Sequence, residues 1–283
     1  LVFEVHDLWP LSPVELGGYS RRHPFIVVMQ AAEDFAYVRS DHVISLLPMA
    51  KDYMVSRGMA PEKFIHLPNG IDVSAWQSPA SLPEKTDSAL SRIRLEKKFI
   101  LGYAGGHGLA NALDELLEAA ETLREIPEIH FVFVGDGPKK GELTKEAHKK
   151  RLGNVTFLPP VPKAAMPGVL EKFDAAFLGW RREALYRFGI SPNKLMDYMM
   201  AGKPVIHAVE AGNDPVAESS CGLSIPPEDP IALSGAIRMM AAFSVEEREQ
   251  MGRRGRAYVL RHHDYRQLAD KFLRAIEGRQ DAS

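Results

Sequence analysis

The 283 residues carry 35 lysines and arginines against 37 aspartates and glutamates, a formal net charge of −2, and are 45% hydrophobic and 25% charged. That composition excludes wholesale disorder, and the balanced charge gives no support to nucleic acid as the main partner. The length suits two domains, the single Cys221 forbids an intrachain disulfide and fits a reducing compartment, and no apolar run reaches the length of a membrane-spanning helix.

Leu1 to Val5 reads as a strand running into His6-Asp7-Leu8-Trp9-Pro10, a polar and aromatic loop at its C-terminal end. Open α/β sheets gather ligands there, so His6 and Asp7 are candidates for chemistry. The chain opens inside this apolar strand with no methionine, cap or turn before it, which sets the expectation that an N-terminal part is missing. A helix is expected over Pro24–Arg39, a strand over Val43–Leu47, a helix over Met49–Arg57 and a strand over Lys63–Leu67, closed by Pro68-Asn69-Gly70-Ile71-Asp72. From Val73 to Arg92 the sequence turns irregular, with Pro79, Pro83 and several serines, and reads as an interdomain linker.

From Phe99 strand and helix alternate. Strands are expected over Phe99–Tyr103, His130–Val134, Val155–Leu158, Ala175–Leu178, Pro204–Val209 and Gly222–Ile225, with helices over Leu109–Glu125, Lys139–Lys150, Lys163–Lys172, Pro192–Ala201 and Asp214–Ser219 between them. This alternation implies a doubly wound parallel sheet covered by helices on both faces. Helices over Pro230–Ala242, Val245–Leu260 and Asp264–Glu277 follow. The boundaries expected are 1–72 for a partial N-terminal Rossmann-like domain, 73–92 for the linker, 93–258 for a complete C-terminal one and 259–283 for a final segment.

The most legible stretch is Ser191 to Ile206. Ser191 suits an N-cap, Pro192 the first helical position and Gly202 a left-handed C-terminal residue, with a strand behind. Lys194 is odd there, because a helix N-terminus disfavours a cation. Ser191, Lys194 and Asp197 share a stripe, so the pattern supports two readings: a surface Lys–Asp pair, or a phosphate seat with a carboxylate one turn deeper for ribose hydroxyls. Pro192 and Asn193 complete that first turn.

Gly105, Gly106 and His107 follow the first strand of this unit, where glycines let backbone amides approach a diphosphate, although the spacing is not GxGxxG. Gly135-Asp136-Gly137-Pro138 ends the second strand, either as a plain turn or at the ligand end of the sheet, and Val161 follows the third, where a base would meet backbone. The run from Lys139 to Arg151 reads as a solvated helix face. Arg181, Arg182 and Arg187 precede the opening helix, either as plain surface or beside a diphosphate. Neither HExxH nor paired cysteines occur, which argues against a required metal.

Taken together, PNGID at 68–72, the glycine loop, GDGP at 135–138 and AGKPV at 201–205 resemble the family 4 (group 1) glycosyltransferases of GT-B fold. EVHDLWP at 4–10 and SPNK at 191–194 resemble the bacterial branch that includes N-acetyl-L-fucosamine transferases of surface-polysaccharide synthesis. The resemblance implies two Rossmann-like domains, a nucleotide-diphosphate sugar held mostly by the C-terminal one, retention of anomeric configuration, no cofactor, and final helices that cross back onto the N-terminal domain. The lone cysteine and the lack of a spanning apolar run set the expectation of a cytoplasmic enzyme that is compatible with lying on a membrane surface, and the expected acceptor is a glycan or a lipid-linked one. The family's paired glutamates fall on Gly189 and Asp197, so only the ribose-binding role carries over, and Asn111 stands near the expected lysine of the glycine loop. Lys194, with an arginine from 181–187, is then left to neutralise the diphosphate.

The expected reaction is transfer of a sugar, with an acetamido sugar and UDP favoured, in which Lys194 and the Gly105–Gly106 amides stabilise the leaving diphosphate while His6 or Asp7 orients a hydroxyl. The rivals are a nucleotide-sugar 2-epimerase of the same fold and a truncated, non-catalytic nucleotide-sugar-binding module.

Overall fold

The computed structural model describes residues 1–96 and 98–277. The first strands, β1 (Val2–Val5), β2 (His42–Ser45) and β3 (Phe64–His66), form a parallel sheet in that order. The helices α1 (Leu11–Glu15), α2 (Pro24–Arg39) and α3 (Lys51–Ser56) accompany it, and Val5, Leu8, Leu11, Tyr37, Val43 and Met54 make its core. Phe25, Val27, Val28, Phe35 and Val38 on α2 remain exposed, and β1 pairs only with β2 among the described residues.

Six further strands, β4 (Phe99–Ala104), β5 (Ile129–Val134), β6 (Val155–Leu158), β7 (Ala175–Gly179), β8 (Val205–Ala208) and β9 (Gly222–Ile225), build a parallel sheet of order β6-β5-β4-β7-β8-β9. Every residue of β4, β5, β7 and β8 is buried, as continuous apolar runs require when helices cover both faces. The faces alternate along β4. Ile100 and Ala104 pack with α7 (Met166–Glu171), α8 (Asn193–Met200) and α11 (Val245–His262), whereas Leu101 and Tyr103 pack with α5 (Leu113–Thr122), α6 (Lys140–Lys149) and α10 (Pro230–Ala242). Two short helices, α4 (Glu84–Leu95) and α9 (Pro215–Ser219), and the last one, α12 (Tyr265–Glu277), complete the described chain.

Three local readings need correction. The stretch read as irregular holds α4, whose Leu90 and Ile93 are buried in the core of the large sheet, so apolar residues at helical spacing outweigh the serines and prolines before them. The helix expected from Leu109 is broken: a 3-10 turn over Leu109–Asn111 leads to Ala112 in the left-handed region at φ 48°, and α5 starts only at Leu113. Ser191 is not the N-cap of α8; Pro192 holds that position, and the serine makes contacts across the cleft instead.

The turn after β3 is where the two sheets meet the C-terminal helices. Ile71 bridges to Asp264, His263 donates from Nδ1 to the Asn69 carbonyl at 2.8 Å, and Lys271 donates to the His66 carbonyl at 2.9 Å. A β-carbon on Gly70 would lie 2.7 Å from Leu268 and Tyr265 and 2.8 Å from the His263 carbonyl, so this position has no room for a side chain. The end of the expected 259–283 segment, from 278 on, lies outside the described residues.

Candidate active site

Strand order reverses between β4 and β7, and the C-terminal ends of these strands open a crevice of the kind in which doubly wound sheets bind ligands. Gly105 to Gly108 leave β4, the loop from Trp180 to Ile190 leaves β7, and α8 begins beside both.

The glycine loops pack backbone on backbone. Gly105 (φ 153°) donates to the Val134 carbonyl at 2.9 Å, and His107 donates from its amide to the Asp136 carbonyl at 2.7 Å. A β-carbon on Gly135 (φ 144°) would fall 1.9 Å from the Gly105 carbonyl oxygen, and one on Gly137 would meet the His107 backbone at 2.7–2.8 Å. Asp136 itself is exposed and accepts from the Gly137 amide at 2.8 Å, while Gly106 has open space where a β-carbon would stand. The ring of His107 is fully buried beside Tyr103, Phe133 and Phe157, and burial holds it neutral at a pKa of about 4. This residue supports the loop from below.

Lys194 enters the crevice from the first turn of α8. Its ammonium donates to the Tyr103 hydroxyl at 2.8 Å and to Asn111 Oδ1, and its Nζ would stand 3.6 Å from a β-carbon on Gly105. Burial lowers it to about 8. Asp197, one turn on, is buried and held above the usual carboxylate range by desolvation, against the opposing pull of Lys163, with which it pairs. The Lys194–Asp197 surface pair is therefore not formed: the two side chains have different partners. Val161 is partly buried against the core on the loop that carries Lys163, and Pro192 and Asn193 sit at the start of α8, the first buried and the second exposed.

The arginines of the β7 loop each hold a carboxylate. Arg181 pairs with Asp114 and Glu115, and Arg182 with Glu210 at 2.8 Å. Arg187 grips Glu15 of α1 with two hydrogen bonds of 2.8 Å, which holds Glu15 below the ordinary carboxylate range. In this structure Arg187 joins the two halves of the molecule rather than facing the glycine loop.

His6 and Asp7 lie across the crevice, both exposed, with His6 Nε2 2.8 Å from Glu4. They line a cavity of about 500 Å³ together with Trp9, Trp180, Tyr186, Phe188, Gly189 and Ser191. The Trp180 and Tyr186 rings lie 5.0 Å apart on one wall. Gly189 (φ 100°) has no room for a side chain, because a β-carbon there would come within 2.4 Å of the Pro48 ring and 2.9 Å of Asn213 Oδ1. Ser191 Oγ accepts from the Asn69 amide at 2.8 Å, and the Ser191 carbonyl accepts from Asn69 Nδ2 at 2.6 Å.

Four residues of this arrangement carry no assigned role in the sequence. Asn69 sits in a conspicuous turn, so its motif was the available signal. Tyr103 and Asn111 flank the glycine loop and become legible only once Lys194 is seen to reach them. Lys163 meets Asp197 by the folding of the edge strand and carries no local signal. Among the described residues no group of three or more His, Cys, Asp or Glu side chains comes together as for a metal ion, and no helix is long and apolar enough to cross a membrane.

Comparison with known proteins agrees with this geometry. Residues 98–243 match the family model of the glycosyl transferases group 1. A relative from Escherichia coli (strain K12), named as the colanic acid biosynthesis glycosyl transferase WcaI, is 27% identical over 84% of this chain and 57% of its own length. The teichuronic acid biosynthesis glycosyltransferase named TuaH, from Bacillus subtilis (strain 168), is 24% identical over 73% of this chain and 49% of its length. The chain thus spans about half the length of these relatives. Among solved structures, Anabaena HepE in complex with UDP superposes with a TM-score of 0.74 at 17% identity, covering 98% of this chain and 72% of that one. WaaG, a glycosyltransferase involved in lipopolysaccharide biosynthesis, gives 0.68 at 18%, covering 98% and 75%. The fold is that of the GT-B glycosyltransferases.

Proposed function

The chain belongs to the group 1 glycosyl transferases, and we propose that it moves a sugar from a nucleoside diphosphate donor, with UDP as the nucleotide, to a hydroxyl of a glycan or lipid-linked acceptor in bacterial surface-polysaccharide synthesis. The observation that carries this reading is Lys194, a partly buried ammonium beside the glycine loop at the switch point whose partners are neutral oxygens. In transfer, the bond between the anomeric carbon and the diphosphate oxygen breaks, the nucleoside diphosphate leaves with the bonding electrons, and the acceptor oxygen bonds the anomeric carbon as its proton passes to the departing diphosphate oxygen. Charge grows on the leaving diphosphate, where Lys194 and the Gly106 amide stabilise it without a metal or other cofactor, whereas the expected help from the Gly105 amide is lost because the Val134 carbonyl holds it. Asp197 receives the ribose hydroxyls in competition with Lys163, and Val161 and Gly135–Asp136 border the base.

The 500 Å³ cavity receives the transferred sugar and its acceptor between His6–Asp7 and the Trp180–Tyr186 wall. With Gly189 in place of a glutamate, no carboxylate from that position meets the donor sugar, which suits an acetamido sugar whose methyl group packs on apolar surface, transferred with retention. The exposed apolar side chains of α2 and the edge of β1, unpaired among the described residues, support the reading that the small sheet belongs to a larger N-terminal unit, and an exposed apolar face also suits contact with a membrane surface.

Lys194→Ala is expected to lower transfer on the order of 10²-fold with an unchanged melting temperature. Transfer at the wild-type rate in that variant contradicts the reading. Release of UDP without any acceptor points instead to elimination of the epimerase type, and UDP-sugar binding without turnover points to a binding module.

A further inference from the structure

We propose that Tyr103 and Asn111 are positioning residues that hold the Lys194 ammonium toward the nucleoside diphosphate without neutralising it. This inference rests on the assignment of Lys194 to the diphosphate made above. The hydrogen-bond directions are forced. The Tyr103 hydroxyl donates its one hydrogen to the Gly106 carbonyl at 2.6 Å, so only its lone pairs face Lys194 at 2.8 Å. Asn111 donates from Nδ2 to the same carbonyl at 2.9 Å, which turns Oδ1 toward Lys194. The ammonium has three donors, and with two of them aimed at these oxygens the third remains for a ligand.

The neighbours of Lys194 differ in kind from those of Lys163 and of the arginines on the β7 loop. Lys163 pairs with Asp197, Arg181 with Asp114 and Glu115, Arg182 with Glu210 and Arg187 with Glu15. A carboxylate on Lys194 would compete with an incoming phosphate, whereas neutral oxygens fix the group and leave its charge to act. The Tyr103 ring centroid lies 4.8 Å from the ammonium, which sits at the hydroxyl edge of the ring. The backbone is shaped to the same end: Ala112 at φ 48° delays α5, so that Asn111 stands in a 3-10 turn and reaches both Gly106 and Lys194.

The groups that face Lys194 are few. From β4 and its loop come Tyr103, raised by burial, and His107, which is neutral; on its own helix Asp197 is engaged by Lys163; from the adjoining loop Lys140 is turned to the Gly135 and Leu158 carbonyls and Asp136 to the Gly137 amide. Burial alone lowers Lys194, to about 8, so loss of its proton is the titration expected in the alkaline range.

The test is the affinity for UDP, measured by calorimetry between about pH 7 and about pH 9.5 on the whole chain and on three variants. The wild-type affinity is expected to fall as pH rises through the Lys194 titration. Asn111→Asp places a carboxylate of the same shape on the ammonium, so UDP affinity at neutral pH drops about tenfold or more and the alkaline fall moves to higher pH. Tyr103→Phe removes an acceptor from the cation, so affinity drops severalfold and the fall moves to lower pH. These opposite displacements are not expected of residues that only brace the loop. Wild-type affinity in Asn111→Asp, or displacement of both variants in the same direction, overturns the inference. Lys194→Ala separates the two levels: if it binds UDP as the wild type does, the diphosphate assignment itself fails, whereas if it weakens binding and the other two variants do not, only the positioning role fails.

Discussion

Gly189 shows how one residue can change what a site holds. Its φ of 100° and the 2.4 Å approach of the Pro48 ring leave no place for a side chain, so the glutamate expected there from the family pattern is excluded by packing as well as by sequence. Gly189→Ala is expected to destabilise the chain by about 1–3 kcal/mol in denaturant unfolding; an unchanged midpoint would show that the loop simply moves aside. Lys194 and Asp197 were legible as polar residues one helical turn apart and both stand on α8, whereas Ser191, read on the same stripe, precedes the helix. Their partners were not legible. Tyr103 lies on a strand 91 positions away and Lys163 on a loop 34 positions away, contacts that only the folded sheet creates. Ser191 misled for the same reason: a serine before Pro192 has the chemistry of a cap, and the Asn69 turn, 122 positions earlier, takes its oxygen instead.

At the scale of elements, periodicity and turn chemistry carried most of the fold. The strands Val155–Leu158 and Gly222–Ile225 and the helices Pro24–Arg39 and Pro230–Ala242 lie where apolar pattern and proline placed them. The misses were α1, the break before α5 and α4, the last of which follows prolines and serines and declares itself only through buried Leu90 and Ile93. The turn from Pro68 to Asp72 acts as a joint. It receives Ser191 from one side and His263 from the other, and Gly70 lies flat against α12. Gly70→Ala is expected to lower hydrogen-exchange protection across α12 while the amides of β4 and β5 stay protected. Equal loss in both regions would mean that the joint and the large sheet unfold as one unit.

Over the whole molecule, several histidines are buried in the neutral form. Burial lowers His107 and His130 to about 4, and also lowers His66 and His263. A base whose folded pKa lies below its unfolded value binds more protons when unfolded, so its contribution to stability is complete above about 6.5 and is lost as pH falls toward the folded value. The melting temperature should therefore decline over that interval, before most carboxylates titrate. His130→Gln, which keeps a partner for Thr156, should flatten the decline, and an unchanged slope would assign it to other groups. The parallel sheet from Phe99 on was readable from the alternation of strand and helix, and the smaller one followed from the family resemblance. How the sheets face one another was not, because it depends on Asn69 with Ser191, Glu15 with Arg187 and the Met49 amide with the Phe188 carbonyl, none of which is marked by local pattern. These contacts bring His6 and Asp7 to the same cavity as Ser191. The most direct measurement is a crystal structure of the chain with UDP. The diphosphate should lie outside the ends of β4 and β7, with oxygens in hydrogen-bond reach of Lys194 Nζ and the Gly106 amide; a nucleotide bound elsewhere, or one whose phosphates leave Lys194 on Tyr103 and Asn111 alone, would contradict the account.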